Sequence, residues 1–258
     1  IVISTDYDPA DADNKNAASY AIELSEGELE NYALTYVNGT LKVLPKKVTV
    51  EIDDKTSVYG ATEAELTSNA SEVAVADDDL GITLTRADAT NKNVGKYAIT
   101  GSASNANYAV TFVNGEYEIT KATLTVTAKP NAITYGDAAS NDGAELAGFA
   151  NGDDESVLSG TLGYRYTYTR YGDIYELDAD GVTLNEIEYY IIPYGLSADN
   201  YEIEYVNGLL TVNKKSATVT VSNAASDITN VPADRAEAAL NIKYAVTGTV
   251  NGDDLAVK

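Results

Sequence analysis

The stretch Asn107–Gly115, with the sequence NYAVTFVNG, occurs three times in this chain with small variations. The first copy is NYALTYVNG at Asn31–Gly39, and the third is NYEIEYVNG at Asn200–Gly208. In each copy apolar or aromatic side chains alternate with others, a period of two that predicts a half-buried β-strand. The closing Asn-Gly tolerates positive φ, so we expect a tight type I′ hairpin turn there. The repetition predicts a tandem array of small β-rich units.

Other short phrases recur in the same order and divide the chain into four units. Lysines mark the joints, at Lys46-Lys47, Lys121 and Lys214-Lys215, and a strand-like stretch follows each of them. The predicted units are residues 1–45 (the C-terminal part of a repeat), 46–121 (a complete repeat), 122–213 (a complete repeat with a Tyr-rich insertion) and 214–258 (the N-terminal part of a further repeat). Because so few residues separate the units, we expect domains arranged end to end as a semi-rigid rod. The chain begins and ends within the repeat pattern, so we also expect a segment of a longer protein.

Helical signals are few in this sequence. Only Asp153–Leu158 and Asp234–Leu240 have the composition of a helical turn or two, and amphipathic periodicity over ten or more residues is absent. Aspartate after Asn-Gly, as at Asp153, can cap such a short turn. The fold class predicted from these patterns is all-β with minimal helix.

The composition argues against several classes of partner and of site chemistry. Asp and Glu total 40 against 17 Lys and Arg, for a formal net charge of −23. Such a surface repels nucleic acid and anionic lipid, so neither is an expected partner. The chain has no His and no Cys, which removes the commonest general base and all thiolate metal ligands. No stretch approaches the roughly 20 apolar residues of a membrane span, so we expect no membrane insertion.

Several phrases together resemble one family of repeat domains. Tyr-Gly-x occurs at Tyr59 and Tyr135, a G-x-x-N-G-D phrase opens Gly148–Gly160, and S-A-x-N-Y lies at Ser197–Tyr201. With the Val-Asn-Gly ends, these phrases resemble the MBG-type (YGX-type) repeat domains of large bacterial surface and secreted proteins. The resemblance implies β-grasp-like or β-sandwich-like modules in extracellular or cell-surface stalks and adhesins. Unit 46–121 departs from it, because Ala76-Asp77-Asp78 replaces the Asn-Gly-Asp of the family phrase.

Acidic clusters are the first candidate sites. They are Asp77-Asp78-Asp79, Asp153-Asp154-Glu155, Asp253-Asp254 and Asp178-Ala179-Asp180-Gly181. Carboxylates in such loops can hold Ca²⁺, and the last cluster is similar to the start of an EF-hand loop. With Gly181 at loop position 6, however, Ile187 takes the place of the bidentate Glu. We therefore favour solvated turns or helix caps, and we assign no metal ligand and no cofactor.

Tyrosine is the other unusual feature, with 20 Tyr against 2 Phe. The tyrosines that recur in the repeated phrase, at positions 32, 108 and 201, favour a structural role because they recur. The ligand-binding candidates are instead the non-repeated tyrosines of the insertion: Tyr164, Tyr166, Tyr168 and Tyr171. Tyr rings stack on sugars and their hydroxyls bond polar groups, so this stripe is a possible glycan platform. The alternative for the same residues is packing in a small core.

No catalytic residues emerge, and we expect no enzyme activity. Units of about 75 to 95 residues leave little room for both a hydrophobic core and an active-site cleft. The favoured function is a non-catalytic adhesin stalk or structural spacer, whose partners are the neighbouring repeats of the same chain. One alternative is a module that binds an extracellular glycan or host surface protein through the insertion. Another is an accessory spacer in a secreted carbohydrate-active enzyme.

Overall fold

The computed structural model of the chain describes residues 1–11, 15–71, 73, 78–170, 173–176, 189–221, 244–250 and 253. The chain divides into two compact units, Ile1–Ala122 and Thr123–Lys258. The described part contains twenty β-strands, and its single helical element is a 3₁₀ turn at Glu155–Val157. The predicted all-β class is confirmed. The helical turn expected within Asp153–Leu158 is also present, whereas Asp234–Leu240 lies outside the described residues.

Residues 1–45 and 46–121 supply the first ten strands. The strands of residues 1–45 form one antiparallel sheet; they are β1 (Val2–Thr5), β2 (Ser19–Ser25) and β3 (Gly39–Lys42). The strands of the first complete repeat are β4 (Lys46–Ile52), β5 (Lys55–Val58), β6 (Ser68–Ala70), β7 (Ile82–Arg86), β8 (Gly95–Ala103), β9 (Tyr108–Val113) and β10 (Gly115–Thr120).

The second complete repeat and the last residues supply the other ten. The strands of the second repeat are β11 (Ala122–Ala128), β12 (Asn131–Thr134), β13 (Ala144–Ala147), β14 (Ser159–Arg170), β15 (Asp173–Glu176), β16 (Tyr189–Ser197), β17 (Tyr201–Val206) and β18 (Gly208–Asn213). The last two are β19 (Thr218–Val221) and β20 (Tyr244–Thr247), which pair antiparallel.

Each complete repeat consists of two small sheets with the same strand order. In residues 46–121 the sheets are β6-β4-β9 and β5-β10-β8-β7. In residues 122–213 they are β13-β11-β17 and β12-β18-β16-β14-β15, so β15 is the one strand added to the larger repeat among its described residues. This two-sheet arrangement corresponds to the sandwich-like alternative. The shared strand order shows that the insertion extends one sheet and leaves the rest of the topology unchanged.

Two extended segments cross between the sheets side by side in the first complete repeat. Lys46–Val58 passes from β4 to β5, and Tyr108–Thr120 passes from β9 to β10. Both pairings are parallel, β4 with β9 and β5 with β10. Lys46 pairs with Tyr108 and Val58 pairs with Thr120, so the offset between partners is 62 residues at both ends. The segments therefore leave one sheet and enter the other without any change of register.

The Asn-Gly dipeptide lies at this crossing, and the predicted hairpin turn is wrong. The strands that flank Asn114, β9 and β10, belong to different sheets and do not pair with each other. None of the three glycines of the repeated phrase has a positive φ. Their role in the complete repeats is close approach: a Cβ on Gly115 would lie 2.8 Å from the Ile52 carbonyl oxygen and 2.9 Å from that of Asp53. A Cβ on Gly208 would similarly lie 2.6 Å from the Ala128 carbonyl oxygen.

The first copy of the phrase behaves differently from the other two. Residues 33–37 form no strand, and Tyr32 is 74% exposed. The described residues 1–11 and 15–45 contain no counterpart of β4, the strand on which β9 pairs. The same alternating sequence therefore becomes a strand in Tyr108–Val113 and Tyr201–Val206 but not here, because a strand needs a partner to satisfy its backbone groups.

The hydrophobic core follows the period of two that the sequence predicts. In β4 the buried side chains are those of Val48, Val50 and Ile52, and in β11 alternate residues from Ala122 to Ala128 are buried. One cluster joins Val48 and Val50 to Leu80 and Tyr108. One face of each central strand is thus covered and the other is exposed or half-buried. The core of each repeat is small, and large tyrosine rings supply much of it.

Gly115→Ala tests the close approach directly. The added methyl group collides with two backbone carbonyl oxygens, so we expect a loss of about 1–3 kcal/mol in the free energy of unfolding. Gly39→Ala is the matched control, because its Cβ would meet only the Ile22 side chain at an ordinary 3.6 Å. Denaturant melting of both variants checks this. Equal stability of the two would show that the crossing does not require glycine.

Candidate functional site

The tyrosine face proposed from the sequence lies on β14 and packs against the core. The tyrosines at positions 164, 166 and 168 are half-buried and contact the cluster of Ala128, Ile133, Tyr189, Ile191 and Leu210. Tyr168 and Tyr189 have their ring centroids 5.9 Å apart. The Tyr166 hydroxyl accepts a hydrogen bond of 2.8 Å from the Asn141 amide. The three rings therefore contribute to folding, and ligand binding by them stays a prediction.

The opposite face of β14 carries a different pair. Arg165 is exposed, and its guanidinium lies 5.1 Å from the ring centre of Tyr194, which is 41% exposed.

Burial raises the pKa of the Tyr164 hydroxyl, and the neighbouring Tyr166 adds to this rise. Tyr171, the fourth candidate, lies outside the described residues.

The acidic loops of the complete repeats bind tyrosine hydroxyls. Tyr108 donates to Asp78 Oδ2 at 2.5 Å, and Tyr201 donates to Asp153 Oδ2 at 2.7 Å. Both tyrosines are buried, at 7% and 2% exposure. Within the described residues, no three Asp or Glu side chains come close enough together to hold a metal ion. The loops thus supply acceptors for the tyrosine of the Asn-Tyr phrase.

The Tyr201 hydroxyl is part of a local hydrogen-bond network. In the second complete repeat the Ala150 N–H donates to the Tyr201 hydroxyl at 2.9 Å, while the hydroxyl itself donates to Asp153. The next residue, Asp154, caps the 3₁₀ turn by accepting from the Ser156 N–H at 2.9 Å. Hydrogen bonds from Ser156 lower the pKa of Asp154 below its ordinary value. The helix-cap role expected for this cluster is confirmed at Asp154.

Tyr201→Phe tests this network. Removal of the hydroxyl leaves the half-buried Ala150 N–H without its bond and the Tyr201 donor to Asp153 is lost, so we expect a loss of about 1–3 kcal/mol in the free energy of unfolding. Tyr32→Phe is the control at the equivalent position of the first copy, where the exposed ring should make the change nearly neutral. Thermal melting of both variants measures the difference. A Tyr201→Phe variant as stable as the control would assign the hydroxyl no structural role.

The aromatic residue later in the phrase makes a second repeated contact. The Tyr36 hydroxyl accepts from the Gly27 N–H at 2.7 Å and donates to the Gly27 carbonyl at 3.0 Å. Tyr205 makes the same pair of bonds with the backbone of Leu196, at 2.7 and 3.0 Å. The hydroxyl and its partner are nine residues apart in both cases. In the remaining copy Phe112 has no hydroxyl, and its ring instead covers Gly101.

Sequence reasoning missed Arg86, a buried cation in the first complete repeat. Arg86 is 4% exposed, and its guanidinium lies 4.6 Å from the ring centre of Tyr97 and 5.5 Å from that of Tyr117. Its Nη2 donates to Glu63 Oε1 at 2.9 Å, and Lys92 donates to the same oxygen at 2.6 Å. The bond from Lys92 and the charge of Arg86 lower the pKa of Glu63. No pattern in the sequence pointed to this cluster.

Arg86 and Tyr166 occupy the same position in their repeats. Arg86 pairs with Ile99, and Tyr166 pairs with Ile191. Those two isoleucines in turn pair with the crossing glycines, Gly115 and Gly208. A buried cation between two rings in one repeat is thus replaced by an aromatic ring in the other. The position is used for packing in both repeats.

The described geometry defines a class: tandem β-domains in which each complete repeat consists of two small sheets. Residues 48–118 and 124–211 match the family described as MBG domain (YGX type), and together they make up more than half of the chain. The chain belongs to the MBG domain (YGX type) family. In the described residues the Tyr-Gly-x phrase is a turn: the Ala61 N–H donates to the Val58 carbonyl at 2.9 Å, and Gly60 has φ of 80°.

No curated protein matches the chain. Among solved structures it is similar to "Three N-terminal domains of the bacteriophage RB49 Highly Immunogenic Outer Capsid protein (Hoc)", with 11% identity and a TM-score of 0.32, over 82% of this chain and 98% of that one. A similarity at that TM-score carries no argument about function. Among the described residues, no helix is long and apolar enough to cross a membrane.

Proposed function

We propose that this chain is a non-catalytic segment of a bacterial extracellular or cell-surface protein, in which its repeats act as an adhesin stalk or structural spacer that bears tension. Membership of the MBG domain (YGX type) family supports a repeat module. The net charge of −23 favours solubility and opposes association with nucleic acid or anionic lipid. The observation that carries the proposal is the direction in which the two crossing segments run.

Tension along the chain loads the crossing segments in shear. In residues 46–121 the chain enters through Lys46 and leaves after Thr120, so a stretching force pulls these two ends in opposite directions. The entering and leaving segments are parallel neighbours over both sheets, from the pair Lys46 with Tyr108 to the pair Val58 with Thr120. Sliding one segment past the other therefore strains all of their backbone hydrogen bonds at once. Peeling would instead break these bonds one after another.

The second complete repeat has the same loading geometry. The parallel pairing of β12 with β18 runs from Asn131 with Leu210 to Thr134 with Asn213, where the repeat ends. The Tyr135 N–H extends it by donating to the Asn213 carbonyl at 2.8 Å, as the Tyr59 N–H does to Thr120. A tyrosine of the Tyr-Gly-x phrase thus closes the ladder in both repeats. Such an arrangement suits a spacer that must stay folded while the chain is pulled.

Single-molecule stretching tests the proposal. The chain contains no Cys, so attachment points can be introduced as Lys46→Cys with Lys121→Cys, which pulls the terminal segments in shear. Lys96→Cys with Lys121→Cys is the control pair, which peels two strands apart. In this geometry β8 is antiparallel to β10, and Gly95 pairs with Ile119 at the loaded end. We expect a clearly higher unfolding force for the first pair, since forced unfolding follows the barrier along the pulled direction.

The length released on unfolding shows whether the whole repeat between the attachment points has unfolded. An extended chain spans at most ~3.3–3.6 Å per residue, so stretching residues 46–121 should release a contour of roughly 250 Å. Equal unfolding forces in the two geometries would show that the parallel segments bear no special load. The parallel pairing of the two segments would then no longer support the spacer proposal.

Ligand binding by the insertion is the second candidate function. The exposed pair of Arg165 and Tyr194 favours it, because a cation beside an accessible ring can contact a glycan or the surface of a host protein. A glycan array probed with the whole chain should then give a signal that Arg165→Ala abolishes. Arg165 is exposed, so this variant should keep the wild-type melting temperature. An array without signal would reject the glycan form of this function.

A further inference from the structure

Asn107, the first residue of the second copy of the phrase, makes side-chain contacts outside its own repeat. Its Oδ1 accepts a hydrogen bond of 2.7 Å from the Ala17 N–H, and its Nδ2 donates to Asn16 Oδ1 at 2.7 Å. A backbone N–H can only donate, so the contact with Ala17 fixes which end of the amide faces it. The other end then has to face Asn16. One side chain thus makes two bonds to residues 90 and 91 positions earlier.

The backbone of Asn107 is fixed within its own repeat. Its N–H donates to Asn105 Oδ1 at 3.0 Å, and its carbonyl accepts from the Lys46 N–H at 2.9 Å. Lys46 is the first residue of β4, where the chain enters the repeat. The side chain of Asn107 is therefore presented from a rigid position beside the entry point.

The residues that Asn107 contacts are also fixed, but within residues 1–45. The Tyr20 hydroxyl donates to the Asn16 carbonyl at 2.8 Å, and the Val43 N–H donates to the Ala18 carbonyl at 2.8 Å. Between Val43 and β4 the chain has only Leu44 and Pro45. Two connections therefore join residues 1–45 to the first complete repeat. One is the two-residue link Leu44-Pro45, and the other is the clamp formed by the two side-chain hydrogen bonds of Asn107.

An open cleft lies beside the clamp, and Ala17, Val43, Leu44, Asp78 and Tyr108 are among the residues that line it. Leu44, the apolar side chain in the two-residue link, is 68% exposed. This side chain therefore does not fill the cleft, and the hydrogen bonds of Asn107 supply directional contacts across the joint.

We propose that Asn107 is an inter-repeat lock, and that the surface formed by Asn107 and the start of β4 docks onto the loop before β2 of the preceding unit. The partner that this surface fits is the exit end of another repeat of the same kind. The inference deepens the proposed spacer function, because the reach of a spacer depends on the stiffness of its joints.

A second joint supports the same inference with different residues. The Tyr135 hydroxyl donates to Asp253 Oδ1 at 3.3 Å, and a Cβ on Gly136 would lie 2.8 Å from Val250 Cγ2. Here the Tyr-Gly-x turn of one repeat contacts Val250 and Asp253, which belong to the residues that follow it. Burial, the hydrogen bond to Asp253 and the charge of Asp253 raise the pKa of the Tyr135 hydroxyl. At this joint too, a polar side chain at the entry end of one unit contacts the exit end of the previous one.

Distances between spin labels in the whole chain test the lock. Labels at Glu23→Cys in β2 and Ala98→Cys in β8 occupy exposed positions on the two sides of the joint. With Asn107 present we expect a single narrow distance distribution. Asn107→Leu removes both hydrogen bonds at similar side-chain volume, so the distribution should broaden. Asn107→Asp should restore a narrow distribution, because its carboxylate accepts from the Ala17 N–H and from a rotated Asn16 amide.

Two further variants separate a joint effect from a folding effect. Asn69→Leu is the matched control: its amide also donates to a neighbouring side chain, Asp53, but within one repeat. It should leave the distribution narrow. Asn16→Ala removes one of the two bonds from the other side and should give intermediate broadening. A distribution that stays narrow in Asn107→Leu and Asn16→Ala would overturn the lock. It would leave the force experiment untouched, since that experiment loads bonds inside a repeat.

Discussion

The crossing of two parallel segments at one glycine is the constraint on which each complete repeat depends. Where Gly115 passes the carbonyl groups of Ile52 and Asp53, there is no room for a Cβ. That approach lets both segments change sheets in the same register. The two sheets are consequently joined by continuous backbone at two adjacent places. A small core can then suffice, because the strands that form it are already aligned.

Tyrosine side chains stabilise these small domains through hydrogen bonds of their hydroxyl groups as well as through burial of their rings. Tyr108 and Tyr201 place their rings in the core and their hydroxyls on an acidic loop. Tyr36 and Tyr205 bind both the N–H and the carbonyl of one distant residue. Each ring thus contributes apolar burial and a specific polar bond. The excess of tyrosine over phenylalanine follows from this double use, and the acidic loops gain a structural role from it.

The sequence predicted the strands better than it predicted their connections. Alternation at Val48 and Val50 is a local signal, and it was correct because these side chains face a core. Asn-Gly is also a local signal for a turn, but its meaning at Asn114-Gly115 depends on two carbonyl groups about 60 residues away. The first copy has the same pattern without a partner strand, and it forms none. Arg86 and Asn107 were missed for a related reason, because their partners become neighbours only after folding.

The constant register also determines where a repeat can change in length. The partner of Val58 is 62 residues further along, whereas the partner of Thr134 in the longer repeat is 79 residues further along. All of the additional residues lie between the two crossing segments, and β15 and the lengthened β14 belong to them. The entry point, the exit point and the alignment of the parallel pair are independent of that length. The region between β14 and β16 is therefore a natural position for grafting foreign loops, since new sequence there leaves the two ends of the repeat and their parallel pairing in place.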